Sequence, residues 1–113
     1  MRLLKSFGYA LNGFKVAFSE QPNFRAHVLA AVIVVALGFW FDIAAVDWII
    51  LLILIGLVVG AELFNTALEK LTDLIKKEHH PLAGQAKDIA ASAVLVLSIV
   101  SAIAGFIIFA NYV

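Results

Sequence analysis

Three long apolar stretches constrain the fold of this chain more than any other feature. They lie within residues 24–41, 43–61 and 86–110. At a helical rise of 1.5 Å per residue, each can cross a hydrocarbon core about 30 Å thick. Helices are expected there, because a backbone in lipid must satisfy its own hydrogen bonds. Hydrophobic residues make up 64% of the chain, against about 45–50% in soluble domains. We therefore predict an all-α membrane protein with three transmembrane helices.

The composition also narrows the function classes. The 113 residues predict a single membrane-embedded domain, residues 1–113, too short to be a polytopic transporter unless several copies assemble. No cysteine is present, which excludes disulfide and thiolate chemistry. The formal net charge is zero, so nothing indicates a nucleic-acid partner. Lysines interrupt residues 1–19, and this stretch has no apolar core typical of a signal peptide.

Residues 2–19 predict an amphipathic helix on the membrane surface. One face is apolar, with spacings of three and four, and consists of Leu3, Phe7, Leu11, Phe14 and Phe18. Another face carries Arg2, Lys5, Tyr9 and Asn12. Such a helix lies in the interface with its basic residues toward lipid headgroups. Pro22 ends this segment.

The basic residues predict the topology. Arg2, Lys5, Lys15 and Arg25 precede or open the first span, and Lys70, Lys76, Lys77 and Lys87 lie between the second and third spans. Residues 42–47 and the carboxyl terminus have no lysine or arginine. The positive-inside rule therefore predicts that the amino terminus and residues 62–88 are cytoplasmic. The chain is expected in the inner (cytoplasmic) membrane as a multi-pass protein.

A polar stripe follows the second apolar stretch, on a helix predicted to continue to about residue 77. Glu62, Asn65, Glu69 and Asp73 fall within a sector roughly 80° wide. Burying one carboxylate costs several kcal/mol unless a cation compensates it. Ionisable groups at membrane depth are functional by default. The alternative is a solvated face where the helix enters water, and this stays open above all for Asp73.

The stripe suits phosphoryl transfer at the membrane surface. Glu62, at headgroup depth, can accept a proton from a lipid hydroxyl. Glu69 can hold Mg²⁺, which often takes few protein carboxylates together with phosphate oxygens. Lys87 can contact a phosphate, although no Walker-type loop or protein-kinase signature occurs. Adjacent His79 and His80 diverge, which disfavours a two-histidine metal site.

Two other classes remain open on this pattern. One is a small oligomeric transporter or proton channel that uses Glu62 as its relay, and the other is a structural membrane subunit. A transporter is expected to carry its acid nearer the midplane. Glu62 instead lies at the cytoplasmic boundary, and the third span has no charge after residue 88. The pattern therefore favours a membrane enzyme.

Two motifs carry a family resemblance. The run from Glu62 to Asp73, with the segments 78–83 and 86–88, resembles the bacterial integral-membrane diacylglycerol kinase family, which includes the undecaprenol kinases. The resemblance extends from about Arg2 to Ile108. Residues 23–27 and 80–82 look more like the undecaprenol kinase branch than the diacylglycerol branch.

The resemblance implies a homotrimer with active sites shared between neighbours. It implies ATP, Mg²⁺ and transfer of the γ-phosphate to a membrane lipid alcohol, with undecaprenol favoured over diacylglycerol and the active site on the cytoplasmic side. Glu62 matches the catalytic base, and Glu69 matches a metal ligand. The positions that match nucleotide or other site contacts are Arg2, Tyr9, Asn65, Glu69, Glu78, His79, His80, Lys87 and Asp88.

One position departs from the family pattern. The family has a second metal-binding glutamate at the end of the surface helix, where a gapless alignment gives Gln21. Glu20 precedes it. Since glutamine is a poor substitute for a charged oxygen ligand, we expect Glu20 to be the second metal ligand.

Overall fold

The computed structural model of the protein describes residues 1–75 and 80–113. This part of the chain forms four helices, α1 (Arg2–Glu20), α2 (Pro22–Phe41), α3 (Ala45–Asp73) and α4 (Pro81–Ala110). The last three are long and apolar enough to cross a membrane. The all-α prediction with three such helices is confirmed.

Two helices begin earlier than predicted, and both begin at a proline. α2 starts at Pro22 and α4 at Pro81, ahead of the predicted starts near residues 24 and 86. Proline suits the first turn of a helix, since its φ angle is already helical and its missing N–H has no partner there in any case. The two prolines therefore open helices.

α3 begins later than predicted, and within the described residues it ends at Asp73. Its first residue is Ala45 rather than residue 43. Leu74 and Ile75 follow as a turn, and the predicted end near residue 77 lies outside the described residues. The helix nevertheless extends well beyond its apolar part, so it carries the whole polar stripe.

The connection between α2 and α3 is a tight left-handed turn. Asp42 has φ 50°, a conformation that Asp tolerates better than most residues. Its backbone N–H bonds the Phe39 carbonyl at 3.3 Å, and the Ile43 N–H bonds the Gly38 carbonyl at 3.2 Å. Asp47 lies in the first turn of α3, where the helix dipole favours a carboxylate.

Trp48 packs directly over Gly38. A Cβ at position 38 would lie 2.6 Å from Cη2 of Trp48, so only glycine leaves room for the indole. Trp48 also contacts the Phe39 ring, with centroids 4.9 Å apart. Trp40, by contrast, is 81% exposed, as expected of an interfacial anchor.

The buried core lies at the end of the molecule opposite the polar stripe. Ile43, Leu51 and Ile108 form it, where the α2–α3 turn meets the end of α4. The Tyr112 hydroxyl accepts a hydrogen bond from the Ala44 N–H at 2.9 Å and donates one to the Asp47 carboxylate. The bond to Asp47 raises the pKa of Tyr112 above its usual range. The carboxyl terminus is thereby fixed to the turn.

The apolar surface of the helices is otherwise largely exposed. α3 packs mainly against α4, and α2 contacts α3 more sparsely. Exposed apolar residues occur on all four helices, and Ala17 is buried on α1. Gly56 and Gly60 on α3 have open space where a Cβ would be. Lipid or further copies of the chain can cover such surfaces.

Candidate functional site

Glu62 is buried at the centre of the site. The residue is 4% exposed, and its Oε1 lies 3.3 Å from Nε2 of His27 on α2. Among residues 1–75 and 80–113, His27 is the one basic side chain within ion-pair distance of Glu62. One turn later, the Thr66 hydroxyl donates to the Glu62 carbonyl at 2.9 Å. The carboxylate is thus excluded from water and held beside an imidazole.

Glu69 accepts hydrogen bonds from two side-chain amides. Asn65 Nδ2 donates to its Oε1 at 3.3 Å, and Gln21 Nε2 donates to its Oε2 at 3.4 Å. Asn65 lies one turn before Glu69 on α3, whereas Gln21 lies between α1 and α2. The Oδ1 of Asn65 is buried and has no hydrogen-bond partner in the described chain. A buried amide oxygen thus stands free beside a carboxylate.

Glu20 and Gln21 contact different residues of α3. The Glu20 carboxylate accepts a 2.6 Å hydrogen bond from Lys70 Nζ, and both side chains are about half exposed. Gln21 is the one that reaches Glu69. The role of Glu20 as second metal ligand stays a prediction, and it requires that Glu20 leave Lys70.

Asp73 and Lys87 join α3 to the start of α4. Lys87 Nζ donates to Asp73 Oδ1 at 2.7 Å. Asp73 is largely exposed, while Lys87 is mostly covered. The predicted phosphate contact therefore lies at the outer end of the polar stripe, next to its last carboxylate. Asp88 follows on α4 and is exposed.

The remaining predicted site residues are exposed or lie outside the described chain. Arg2 and Tyr9 are exposed on α1. His80 is exposed and precedes the first residue of α4. Glu78 and His79 fall in residues 76–79, outside the described residues. The structure thus brings Asn65 to Glu69, and Lys87 to Asp73.

The side-chain oxygen atoms of Glu69 and Asn65 fit a magnesium ion better than a transition metal. In residues 1–75 and 80–113 no group of three or more His, Cys, Asp or Glu side chains is arranged to hold a metal. Magnesium, however, often takes only one or two carboxylates and completes its shell with water and phosphate oxygens. Glu69, with the unpartnered Asn65 Oδ1 beside it, supplies hard oxygen donors of this kind.

The sequence alone did not single out His27 as a site residue, and it placed Gln21 at the second metal-ligand position only by a gapless alignment, without indicating its contact with Glu69. α2 and α3 form a hairpin around the turn at 42–44, and His27 and Glu62 lie at comparable distances from it along the chain. Their similar distances from the turn could have predicted this contact, because antiparallel helices bring such positions to similar heights along the hairpin. The contact of Gln21 with Glu69 depends on the chain direction after α1, which no local pattern encodes.

A cavity of about 380 Å³ lies between α2, α3 and α4. Its walls are mainly apolar and include Val34, Leu54 and Val58. The polar residues that line it are His27, Ser98 and Ser101. The Ser101 hydroxyl oxygen is buried and has no hydrogen-bond partner in the described part of the molecule. His27 thus contacts Glu62 and also lines an apolar space between the three helices that are long enough to cross a membrane.

Comparison with known proteins identifies the class. The family model for prokaryotic diacylglycerol kinases matches residues 8–109. The chain is 43% identical over 108 residues to undecaprenol kinase from Bacillus subtilis (strain 168), covering 96% of this chain and 88% of that protein. It is 34% identical over 102 residues to diacylglycerol kinase from Escherichia coli (strain K12), covering 90% and 84% respectively.

These relatives and the three long apolar helices define the class as a membrane lipid kinase. The chain belongs to the prokaryotic diacylglycerol kinase family. A further member, diacylglycerol kinase from Synechocystis sp., is 41% identical over 104 residues, although the match covers 59% of that protein. The expected family and the kinase activity are confirmed.

Proposed function

We propose that the protein transfers the γ-phosphate of ATP to the hydroxyl of undecaprenol in the cytoplasmic membrane. The observation that carries the reaction is the buried Glu62 carboxylate on α3, just beyond the apolar part of that helix. The acceptor is inferred from the 43% identity to undecaprenol kinase of Bacillus subtilis. The phosphate donor follows from membership of a kinase family.

Glu62 is the proposed general base. Its carboxylate takes the proton of the lipid hydroxyl while that oxygen bonds to the γ-phosphorus, and the bond to the β–γ bridging oxygen breaks to release ADP. In phosphoryl transfer the protein contributes mainly position and charge neutralisation. A carboxylate at headgroup depth is suited to a substrate whose hydroxyl lies at the same depth.

The outer part of the stripe is the proposed nucleotide and metal site. Glu69 and Glu20 would supply oxygen ligands for Mg²⁺, with Asn65 as a site residue beside Glu69, and the ion would neutralise developing phosphate charge when bound. The proposed nucleotide contacts are Glu78, His79, His80, Lys87 and Asp88, together with Arg2 and Tyr9 of α1. These assignments follow the family resemblance. The hydrogen bond between Asn65 and Glu69 supports placing those two residues in one site.

We further propose that three copies assemble, with α1 on the cytoplasmic membrane surface and the active sites shared between neighbours. The extensive exposed apolar surface supports this, as does the open space around Gly56 and Gly60 on α3, since small residues spaced by four allow helices to approach closely. The distribution of lysine and arginine supports a cytoplasmic active site.

A phosphorylation assay tests the function. Purified protein in mixed micelles receives labelled ATP and either undecaprenol or diacylglycerol, and labelled lipid is separated and counted. We expect undecaprenol to be the better acceptor. Diacylglycerol is the second candidate because of the 34% identity to the Escherichia coli kinase. A preference for diacylglycerol would change the acceptor, and no labelled lipid in either arm would contradict the proposed function.

A further inference from the structure

We propose that His27 is a positioning residue, which holds the Glu62 carboxylate in the orientation needed to accept the substrate proton. The proposal rests on the function proposed above, in which Glu62 is the general base. It concerns a residue on a different helix, and His27 acts through Glu62 rather than on the lipid or the nucleotide.

The contact itself is the first argument. His27 Nε2 lies 3.3 Å from Glu62 Oε1, with the carboxylate side chain 5% exposed and the imidazole 27% exposed. An uncompensated carboxylate at this burial is strongly unfavourable, so the group needs a partner that donates or carries positive charge. Within the described ranges His27 is the basic side chain in position to do this.

The surroundings of His27 fix where its ring can lie. Phe24, one turn earlier on α2, is completely buried and meets the Phe14 ring edge-on, with centroids 5.0 Å apart. Arg25 Nη1 donates to the carbonyls of Phe18 and Ser19 at 2.8 and 3.2 Å. These contacts tie the first turns of α2 to α1. The imidazole therefore projects from an anchored backbone toward α3, across a helix pair that otherwise makes few contacts.

The cavity explains why the Glu62 carboxylate needs the His27 imidazole to stay in one orientation. His27 lines the 380 Å³ space together with Val58 and Val59, which precede Glu62 by about one turn on α3. Without the imidazole, the carboxylate would gain room to turn. With the ring beside Oε1, that oxygen is engaged and Oε2 remains to take a proton. A base misplaced by about 1 Å can cost about 10²-fold in rate.

The proposal is tested with His27→Ala and His27→Gln, each made in the parent and in Glu62→Gln protein. We expect His27→Ala to lower kcat about 10- to 100-fold with the KM for Mg-ATP unchanged. His27→Gln retains an N–H donor and is expected to recover most of that loss. In the Glu62→Gln background, His27→Ala is expected to change kcat less than about twofold, because residues that act as a unit are not additive.

Val34→Ala is the matched control, because Val34 lines the same cavity on the same helix and its aliphatic side chain cannot form a hydrogen bond with Glu62. Its kcat is expected to equal that of the parent. Equal losses from His27→Ala in both backgrounds would overturn the proposal, as would a loss confined to the KM for Mg-ATP. If His27→Ala fails to assemble, His27→Leu, which fills a similar volume but has no N–H donor, takes its place in both backgrounds and is judged by the same criterion. An inactive parent protein would instead refute the proposed function.

Discussion

Each of the three carboxylates on the α3 stripe has a partner of a different kind. Glu62 lies against an imidazole, Glu69 accepts from two amides, and Asp73 binds an ammonium group. Neighbouring like charges on one helix face repel each other, and these separate partners offset that repulsion. The different partners are consistent with different proposed roles for the three carboxylates, since a buried base, a metal ligand and a surface ion pair require different surroundings.

Substitution of Glu62 and of Glu69 should affect different kinetic constants. Glu62→Gln keeps the size of the side chain but removes proton acceptance, so we expect kcat to fall about 10²–10⁴-fold with nearly unchanged affinity for ATP. Glu69→Gln would weaken the proposed metal ligand, and the KM for Mg-ATP is expected to rise as well. Steady-state kinetics of both variants measures this, and their mass in detergent should match that of the parent. Full activity of Glu62→Gln would refute its role as base.

The second metal ligand is tested with Glu20→Gln and Gln21→Ala. A charged oxygen binds Mg²⁺ better than an amide oxygen, so Glu20→Gln is expected to raise the Mg²⁺ concentration needed for half-maximal rate. Gln21→Ala is expected to change it little. Lys70→Met, which removes the partner of Glu20, serves as the control for loss of the ion pair alone. The reverse pattern would assign the metal to Gln21, which already contacts Glu69.

At the scale of the helices, the sequence predicts that the helices exist more reliably than it predicts their first and last residues or the side chains that pack between them. Apolar length is enough to predict α2, α3 and α4, because lipid allows few alternatives to a helix. The starts at Pro22 and Pro81 were missed because proline both ends a preceding segment and opens a following helix. The packing of Trp48 over Gly38 could not be predicted from the sequence either, because it forms only when α2 and α3 close into a hairpin.

Gly38→Ala should destabilise the hairpin. The added Cβ would lie 2.6 Å from Trp48, so the indole must move, and overpacking typically costs about 1–3 kcal/mol. We expect a lower Tm and a changed Trp fluorescence spectrum. Gly13→Ala is the matched control, because α1 has open space there and alanine favours a helix by about 1 kcal/mol over glycine. If Gly38→Ala were as stable as Gly13→Ala, the close packing of Trp48 would be contradicted.

At the scale of the whole molecule, the two ends differ in chemistry. One end holds the stripe of carboxylates and amides, with His27 and Lys87 beside it. The other holds the core around Ile43 and the tie from Tyr112 to the α2–α3 turn. The sequence predicts this division from the order of charged and apolar segments, but it does not reveal the contacts across helices within each end, since these join residues far apart in the chain.

Cysteine labelling tests the orientation of the two ends. The parent contains no cysteine, so single cysteines at Ala45 and Gly84 can be labelled with a membrane-impermeant thiol reagent in oriented vesicles. We expect them to react from opposite sides, with Gly84 cytoplasmic. A cysteine at the exposed Val113 is the control and should react from the same side as Ala45. Labelling of Ala45 and Gly84 from one side would contradict the three-span topology.

The sparse interior of the single chain has an evolutionary consequence. Most apolar side chains on α2, α3 and α4 are not buried within the chain. Where such a side chain contacts lipid, the only requirement on it is that it be apolar. Leu, Ile, Val and Phe can therefore replace one another there at little cost in stability. The spans therefore constrain residue identity less than the polar segment from Glu62 to Asp73 does, and substitutions that keep a span apolar are expected to accumulate there.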